Sequence, residues 1–340
     1  MAEIRSLILR LTERCNLRCA YCYAASGRDV PDMTAELACH AIALCCPPGG
    51  ELRVQFTGGE PLLALEVMEE VYAFGRDTGR RLRLAVQTNA VLLTPAVCRR
   101  LAAMRCAVGV SLDGLGEANG LRIFPNGTGA FSAAAEGIRN LGRCGLRCNL
   151  TVVVTRANAA RLGELPDMAL WLSNVGSVGL DLFRPLGRGA GANLSPLPED
   201  LEAGLRALCR RTYQIRAAGV PFRLRELERL RRRAACTDCG GVYCYAQTDR
   251  SLAVDGAGDC WPCSSLAGRE GFLLGNLRHG LQSGPPPGLE APPACIACPD
   301  FPLCLGGCPA GRTARDDPPD GLTCLMARVM GEEMRGENDL

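Results

Sequence analysis

Short apolar runs and longer amphipathic ones alternate along the first half of the chain. Ile4–Leu11 is a mostly apolar run of strand length, and Leu52–Phe56, Leu82–Gln87, Ala107–Leu112, Asn149–Val154 and Val178–Phe183 are five more strand-like segments. Between them the pattern lengthens to a helical period. Helices are predicted from a Thr34 cap to about Cys46, over Leu63–Thr78, and near 94–104, 131–143 and 160–173. Pro47-Pro48-Gly49-Gly50 stops the first of these. Six strand–helix units in series predict a parallel sheet with helices on its outer face. Six strands are too few to close an eight-stranded barrel. The fold class is therefore α/β, an open partial (β/α)6 barrel.

The pattern changes after the sixth strand. Residues 186–197 are rich in glycine and read as a linker. Glu199–Ala218 is amphipathic, and Arg223–Arg233 is an arginine-rich helix that reads as a solvated face. From Cys236 onward the periodicity fades, and glycine, proline and cysteine dominate, with Gly284-Pro285-Pro286-Pro287-Gly288 as a turn-rich connector. Such a segment buries little apolar surface and needs staples. The expected organisation is a core over 1–190, a linker and helices over 191–235, and a small irregular domain over 236–340.

Charge and composition narrow the function. The chain has 340 residues, 47% of them hydrophobic, with 38 basic and 36 acidic side chains for a net +2. That balance gives no field for a polyanion, so no nucleic-acid partner is expected. No long uncharged apolar run appears, so no membrane partner is expected either. The start, Met1-Ala2-Glu3-Ile4-Arg5, lacks the apolar stretch of a signal peptide. The chain reads as cytoplasmic and reduced. There its 21 cysteines are metal ligands where clustered and small buried hydrophobes where scattered, as at Cys39, Cys45, Cys46, Cys98, Cys106, Cys144, Cys148 and Cys209.

The sharpest local signal is Cys15-Asn16-Leu17-Arg18-Cys19-Ala20-Tyr21-Cys22. Three thiolates in one short loop suit an iron–sulfur cluster, and three ligands leave one of the four irons of a cubane open. A zinc loop would need a second cysteine pair nearby, and none follows. This CxxxCxxC spacing resembles the signature of the radical S-adenosylmethionine (SAM) superfamily. The resemblance implies that the open iron binds the amino and carboxylate groups of SAM, and that an electron from the cluster splits SAM to a 5′-deoxyadenosyl radical.

Further residues fit the same family. Thr57-Gly58-Gly59-Glu60-Pro61, after the second strand, resembles the GGE segment that contacts the methionine amino group. Gln87-Thr88-Asn89 and Ser111-Leu112-Asp113-Gly114 end the third and fourth strands. Ligands in parallel α/β sheets bind at such carboxyl ends. Asn89, Ser111 and Asp113 resemble positions that hydrogen-bond the ribose and carboxylate of SAM. Tyr21 resembles the aromatic that packs near the adenine. Arg122 resembles an arginine placed near the carboxylate, although Ala118-Asn119 stand where the family often has His-Asp.

The second cysteine field, Cys244, Cys263, Cys295, Cys298, Cys304, Cys308 and Cys324, follows CX9–15GX4C–gap–CX2CX5CX3C–gap–C through Gly258. This layout resembles the SPASM domain of peptide and protein maturases, which carries two auxiliary clusters. By that resemblance Cys244, Cys263 and Cys308 hold the first, with Cys239 as fourth ligand and Cys236 or Cys260 as possible substitutes. Cys295, Cys298, Cys304 and Cys324 hold the second. The cofactors implied are three 4Fe–4S clusters and SAM. A pair of zinc ribbons is the plain alternative for this field.

The resemblance implies an oxidoreductase that modifies a ribosomally made precursor peptide by a thioether or carbon–carbon cross-link. Fourteen residues precede Cys15, so a peptide-recognition domain is expected as a separate protein. An electron donor such as flavodoxin or ferredoxin is also expected. A rival enzyme is the anaerobic sulfatase maturase, which makes formylglycine. It carries an acid after the cysteine matching Cys263, and here Ser264 stands there. A non-catalytic iron–sulfur carrier or zinc module would leave the GGE segment and the strand-end polar residues without purpose.

Overall fold

The computed structural model describes residues 3–24, 29–235, 241–282, 284, 286–316 and 321–336. Cys236 and Cys239, and Pro285 of the connector, lie outside the described residues. Six parallel strands form the core: β1 (Ser6–Thr12), β2 (Glu51–Gly58), β3 (Arg81–Thr88), β4 (Ala107–Ser111), β5 (Cys148–Val154) and β6 (Val175–Leu182). They lie side by side in that order. Helices α1 (Ala35–Cys45), α2 (Leu65–Asp77), α3 (Pro95–Ala103), α4 (Phe131–Arg143) and α5 (Leu165–Leu172) fill the crossovers. The sheet stays open, as six strands require. The α/β partial-barrel expectation therefore matches the structure.

Local chemistry explains the element ends. The Leu37 N–H donates to Thr34 Oγ1 at 3.2 Å, as an N-cap should. Pro61 opens a single 3-10 turn, Pro61–Ala64, before α2. A longer 3-10 segment, Ala159–Glu164, precedes α5. Each of these two predicted helices is thus a 3-10 segment followed by an α-helix.

Helices α6 (Pro198–Ala217) and α7 (Arg225–Ala234) follow the core. The solvated reading of the arginine helix holds only in part: Arg223, Arg225 and Arg232 are exposed, while Arg229, Arg231 and Arg233 are half-buried. Arg225 lies across Gly179 of β6, where a Cβ would meet the guanidinium at 1.9 Å. Its Nη2 donates to Leu150 O at 3.2 Å and to Thr151 Oγ1 at 2.9 Å. Arg233 Nη1 donates to Leu303 O at 2.8 Å. A Val178–Leu224 bridge sets the start of α7 beside β6, and from there its arginines reach Leu150 of β5 and Leu303.

The C-terminal third is also more regular than expected. Strand β7 (Ser251–Val254) is wholly buried and pairs in parallel with β1. Strands β8 (Asp259–Trp261), β9 (Gly275–Asn276) and β10 (Gly280–Leu281) continue antiparallel, giving one ten-stranded sheet. The sheet therefore runs through the boundary expected at 235/236. Short helices α8 (Pro293–Ile296), α9 (Phe301–Cys304) and α10 (Pro309–Arg315) precede α11 (Leu322–Gly336). Helix α11 packs on α6, where Arg206 pairs with Glu332 at 2.7 Å and Glu333 at 3.1 Å.

The core spans strands and helices together. Of the scattered cysteines, Cys45, Cys46, Cys98, Cys106, Cys148 and Cys209 are buried, while Cys39 and Cys144 are half-buried. Burial pushes the thiols of Cys45, Cys106 and Cys148 up to about 12. They behave as small apolar side chains. No helix of the described residues is long and apolar enough to cross a membrane.

Candidate active site

The carboxyl ends of β1 to β4 and β6 bring the site together. The cysteine loop leaves β1 and is held from several directions. Arg18 N donates to Ile123 O at 2.7 Å and Ala20 N to Leu121 O at 2.9 Å. The segment read as a linker also grips it: Arg188 N donates to Cys22 O at 3.0 Å, and Arg188 Nη1 to Cys19 O at 2.7 Å. Gly187 allows this approach, since a Cβ there would lie 2.5 Å from Cys22 O. Gly58 and Gly59 lie even closer to β1 and its loop. Their Cβ atoms would stand 2.2 Å from Thr12 O and 2.1 Å from Arg14 O. Gly58 also has φ 138°, which disfavours any side chain.

Glu60 is buried, and its carboxylate faces inward. It accepts from Thr88 Oγ1 at 2.6 Å, Asn89 N at 2.8 Å and Leu62 N at 3.2 Å. Burial raises its pKa, and these three donors pull it back. Glu60 thus fixes the end of β3. Asn89, so placed, donates from Nδ2 to Asn16 Oδ1 at 2.8 Å, with Cys15 Sγ at 3.7 Å. Ser111 is half-buried and accepts from Gln87 Nε2 at 2.8 Å.

Asp113 is the electrostatic centre. Its carboxylate accepts from Arg122 Nε at 3.0 Å, from Val153 N at 2.9 Å and from the Tyr21 hydroxyl. Tyr21, Asp113 and Arg122 are all buried. Burial, the largest single influence, would lower the Arg122 pKa, but Asp113, Tyr21 and Cys19 together outweigh it and hold the guanidinium charged. Arg122 lies over the Tyr21 ring at 5.4 Å and reaches Cys19 Sγ at 4.0 Å. The sequence-picked Tyr21, Asp113 and Arg122 therefore form one unit against the cysteine loop.

Sequence reasoning missed several residues of this frame. Asn119 Oδ1 accepts from Asp113 N at 2.9 Å, and Asn158 Nδ2 donates to Asp113 O at 3.0 Å. Asn119 stood in view as a departure from the family's His-Asp, and the structure gives it this capping role. Arg10, a lone charge within an apolar strand, is buried; it pairs with Glu13 and donates from Nη1 to Ser264 Oγ at 3.0 Å.

The thiols fall into three groups. Burial pushes Cys15 up to about 11, the Leu17 N–H pulls it back, and Glu60, Cys19 and Cys22 add to the rise. Burial raises Cys244 to about 11, lowered by backbone donors and raised by Cys308 and Cys263. Burial also raises Cys263, with Cys308 the next cause. Cys304 is raised by burial and then, against a Gly306 N–H, by Cys324, Cys295 and Cys298. None of these thiols is in a disulfide. Cys260 stands apart, in β8 within the main core, and its nearest thiol influence is Cys45. Among the described residues no three or more His, Cys, Asp or Glu side chains are gathered to hold a single metal ion. Buried neighbouring thiols stay protonated unless a strong cationic centre takes the proton's place, which suits a metal cluster.

Comparison with known proteins agrees with this geometry. The Radical SAM superfamily profile matches residues 9–169. The mycofactocin maturase MftC of Mycobacterium tuberculosis is 30% identical, over 93% of this chain and 81% of its own length. The AdoMet-dependent heme synthase of Methanosarcina barkeri is 26% identical, over 81% of this chain and 80% of its own. The solved structure of native anSMEcpe with bound AdoMet and Kp18Cys peptide has a TM-score of 0.81 at 22% identity, covering 98% of this chain and 99% of that one. A three-thiol loop on β1, the strand-end frame around it and a 30%-identical relative spanned along most of its length lead to one conclusion: the chain belongs to the radical SAM superfamily and is an enzyme.

Proposed function

We propose that this enzyme oxidatively modifies a ribosomally synthesised peptide, using three 4Fe–4S clusters and SAM. The observation that carries the reading is the division of the thiols: Cys19 and Cys22 bear on Cys15, Cys263 and Cys308 on Cys244, and Cys295, Cys298 and Cys324 on Cys304. Cys239 lies outside the described residues and is assigned to the first auxiliary set by sequence alone. When bound at Cys15, Cys19 and Cys22, cluster and SAM supply a carbon radical that abstracts hydrogen. The chain's own part is to orient and to exclude water. Asn89, Ser111, Asp113 and Arg122, with Tyr21, supply the polar and aromatic contacts for SAM. Gly58 and Gly59 let the backbone approach, and Glu60 acts by fixing Asn89.

A peptide substrate rests on the match to MftC, a maturase by name, over 93% of this chain. The formylglycine reading is weaker. Ser264, at the position of the acid in those maturases, is buried and its hydroxyl is taken by Arg10. The heme synthase relative favours a second class of substrate, a tetrapyrrole. A separate peptide-recognition protein and a flavodoxin or ferredoxin donor complete the proposal.

After anaerobic reconstitution about 12 irons per chain are expected, falling by about four in the Cys15→Ala/Cys19→Ala/Cys22→Ala variant. Reduced enzyme with SAM should release 5′-deoxyadenosine, and the triple variant should not. Co-expression with a neighbouring small peptide should lower its mass by about 2 Da per cross-link, since two hydrogens leave as one bond forms. An unchanged peptide together with turnover of an iron porphyrin or its precursor would move the substrate to the tetrapyrrole class.

A further inference from the structure

Arg184 stands just past β6, at the same carboxyl edge as the site, and is 8% exposed. Its two Nη atoms donate to the two oxygens of Asp181 at 2.6 Å each. That fork fixes the guanidinium plane. So held, Nη2 lies 3.9 Å from Cys308 Sγ, and the guanidinium lies over the Tyr23 ring at 5.6 Å, one residue beyond Cys22. Its Nε is buried without a hydrogen-bond partner.

The surroundings are cationic. Arg184, Arg229 and Arg233 line a cavity that also takes in Glu226, Cys304 and Cys308, one thiol from each auxiliary set. Stability alone does not favour this placement. Burying an ion pair costs several kcal/mol of desolvation, and its replacement by apolar groups is often neutral or better. An Arg–Asp pair wanted only for structure could sit at the surface.

We propose that Arg184 is a positioning residue that raises the reduction potential of the auxiliary cluster held by Cys244, Cys263 and Cys308. The inference rests on the three-cluster reading given above. A cluster becomes more negative by one charge when it accepts an electron. A fixed positive charge in a poorly screened interior favours that reduced form. An N–H aimed at a ligand sulfur acts in the same direction, since charge and hydrogen bonds at the sulfurs set cluster potentials. Asp181 both orients the guanidinium and opposes its charge. Loss of either charge therefore shifts the couple in opposite directions. The effect of Arg184 is to make the first auxiliary cluster a better acceptor for the second electron, the one that leaves the substrate radical after hydrogen abstraction.

The test is a redox titration followed by electron paramagnetic resonance, on full-length reconstituted protein carrying Cys15→Ala, Cys19→Ala and Cys22→Ala, in which only auxiliary couples remain. Arg184→Gln should move one couple to more negative potential by about tenfold in the reduced-to-oxidised ratio, about 59 mV for one electron. The other couple should move less. Arg184→Lys, which keeps the charge but not the fork, should recover part of the shift. Asp181→Asn should move the same couple the other way and decides the matter if Arg184→Gln fails to load iron. Arg83→Gln, on the exposed face of β3, should move nothing. Unmoved couples in a fully loaded Arg184→Gln protein, or an equal shift with Lys and Gln, overturn this inference alone. A parent protein without auxiliary iron overturns the three-cluster reading and this inference with it.

Discussion

At the scale of single residues the site depends on a few close approaches and one buried charge centre. A methyl group on Gly59 would have to occupy the space of Arg14 O, 2.1 Å away. Gly59→Ala should therefore push the cysteine loop off β2 and remove about four of the irons, as read by iron analysis. Gly129→Ala, with open space around the added carbon, should keep them all. Arg122→Ala would leave Asp113 buried without its cation. Breaking a buried pair in this way costs about 3–5 kcal/mol, and thermal unfolding should register the loss. Glu60 adds a pH signature. Burial raises its folded pKa, so the folded state holds the proton to higher pH than the unfolded chain does. Its contribution to stability is full below the ordinary carboxylate pKa and declines as pH rises through the folded value. Glu60→Gln cannot titrate, and its stability curve should lack that decline.

At the scale of elements the C-terminal third divides by how it is held. Strand β7 is locked by pairing with β1, and α11 by packing and ion pairs with α6. Between them the small satellite core has only Leu266, Leu289 and Ala310 fully buried, with Cys263 and Cys308 packed against it. Helices α8 and α9 bury none of their residues. Four-residue helices without burial do not persist alone. Cys304→Ala should thus open 286–316 to protease while β7, α11 and the parallel core stay resistant. Equal resistance in variant and wild type would sink the view that clusters staple this segment.

At the scale of the whole molecule one sheet runs from the strands beside the first cysteine loop to β8, just before Cys263, while the remaining cysteines of the second field lie on helices and turns outside it. Removing iron from the intact enzyme with a chelator should produce two events. The segment around Cys263 to Cys308 should gain amide exchange first, because its core is smallest. The ten-stranded sheet should unfold later, as a unit. Loss of protection across the sheet at the same chelator exposure would contradict that order.

Much of this was legible in the chain. Apolar runs as short as Leu52–Phe56 and caps such as Thr34 fix local structure through neighbours in sequence, and the six parallel strands followed from them. Motif cysteines were legible because a loop ligand set is itself local. Tyr21, Asp113 and Arg122 were identified singly, but their union is tertiary: residues up to 101 positions apart meet only because β1 and β4 end on the same edge. The roles of Arg10, Arg184 and Arg188 were not legible, since an arginine on a glycine-rich or apolar segment gives no sign of which carbonyl or thiol it will meet. For the same reason the arginine helix read as wholly solvated and β7 as irregular: which carbonyl an arginine reaches, and whether a four-residue run finds a strand to pair with, depends on neighbours that only the assembled fold supplies. The sequence by itself determined the strands, the ligand types and their spacing. Tertiary structure decided which charges are buried, which partners satisfy them and where the second cysteine field joins the sheet, because burial and pairing arise from contacts distant in the chain.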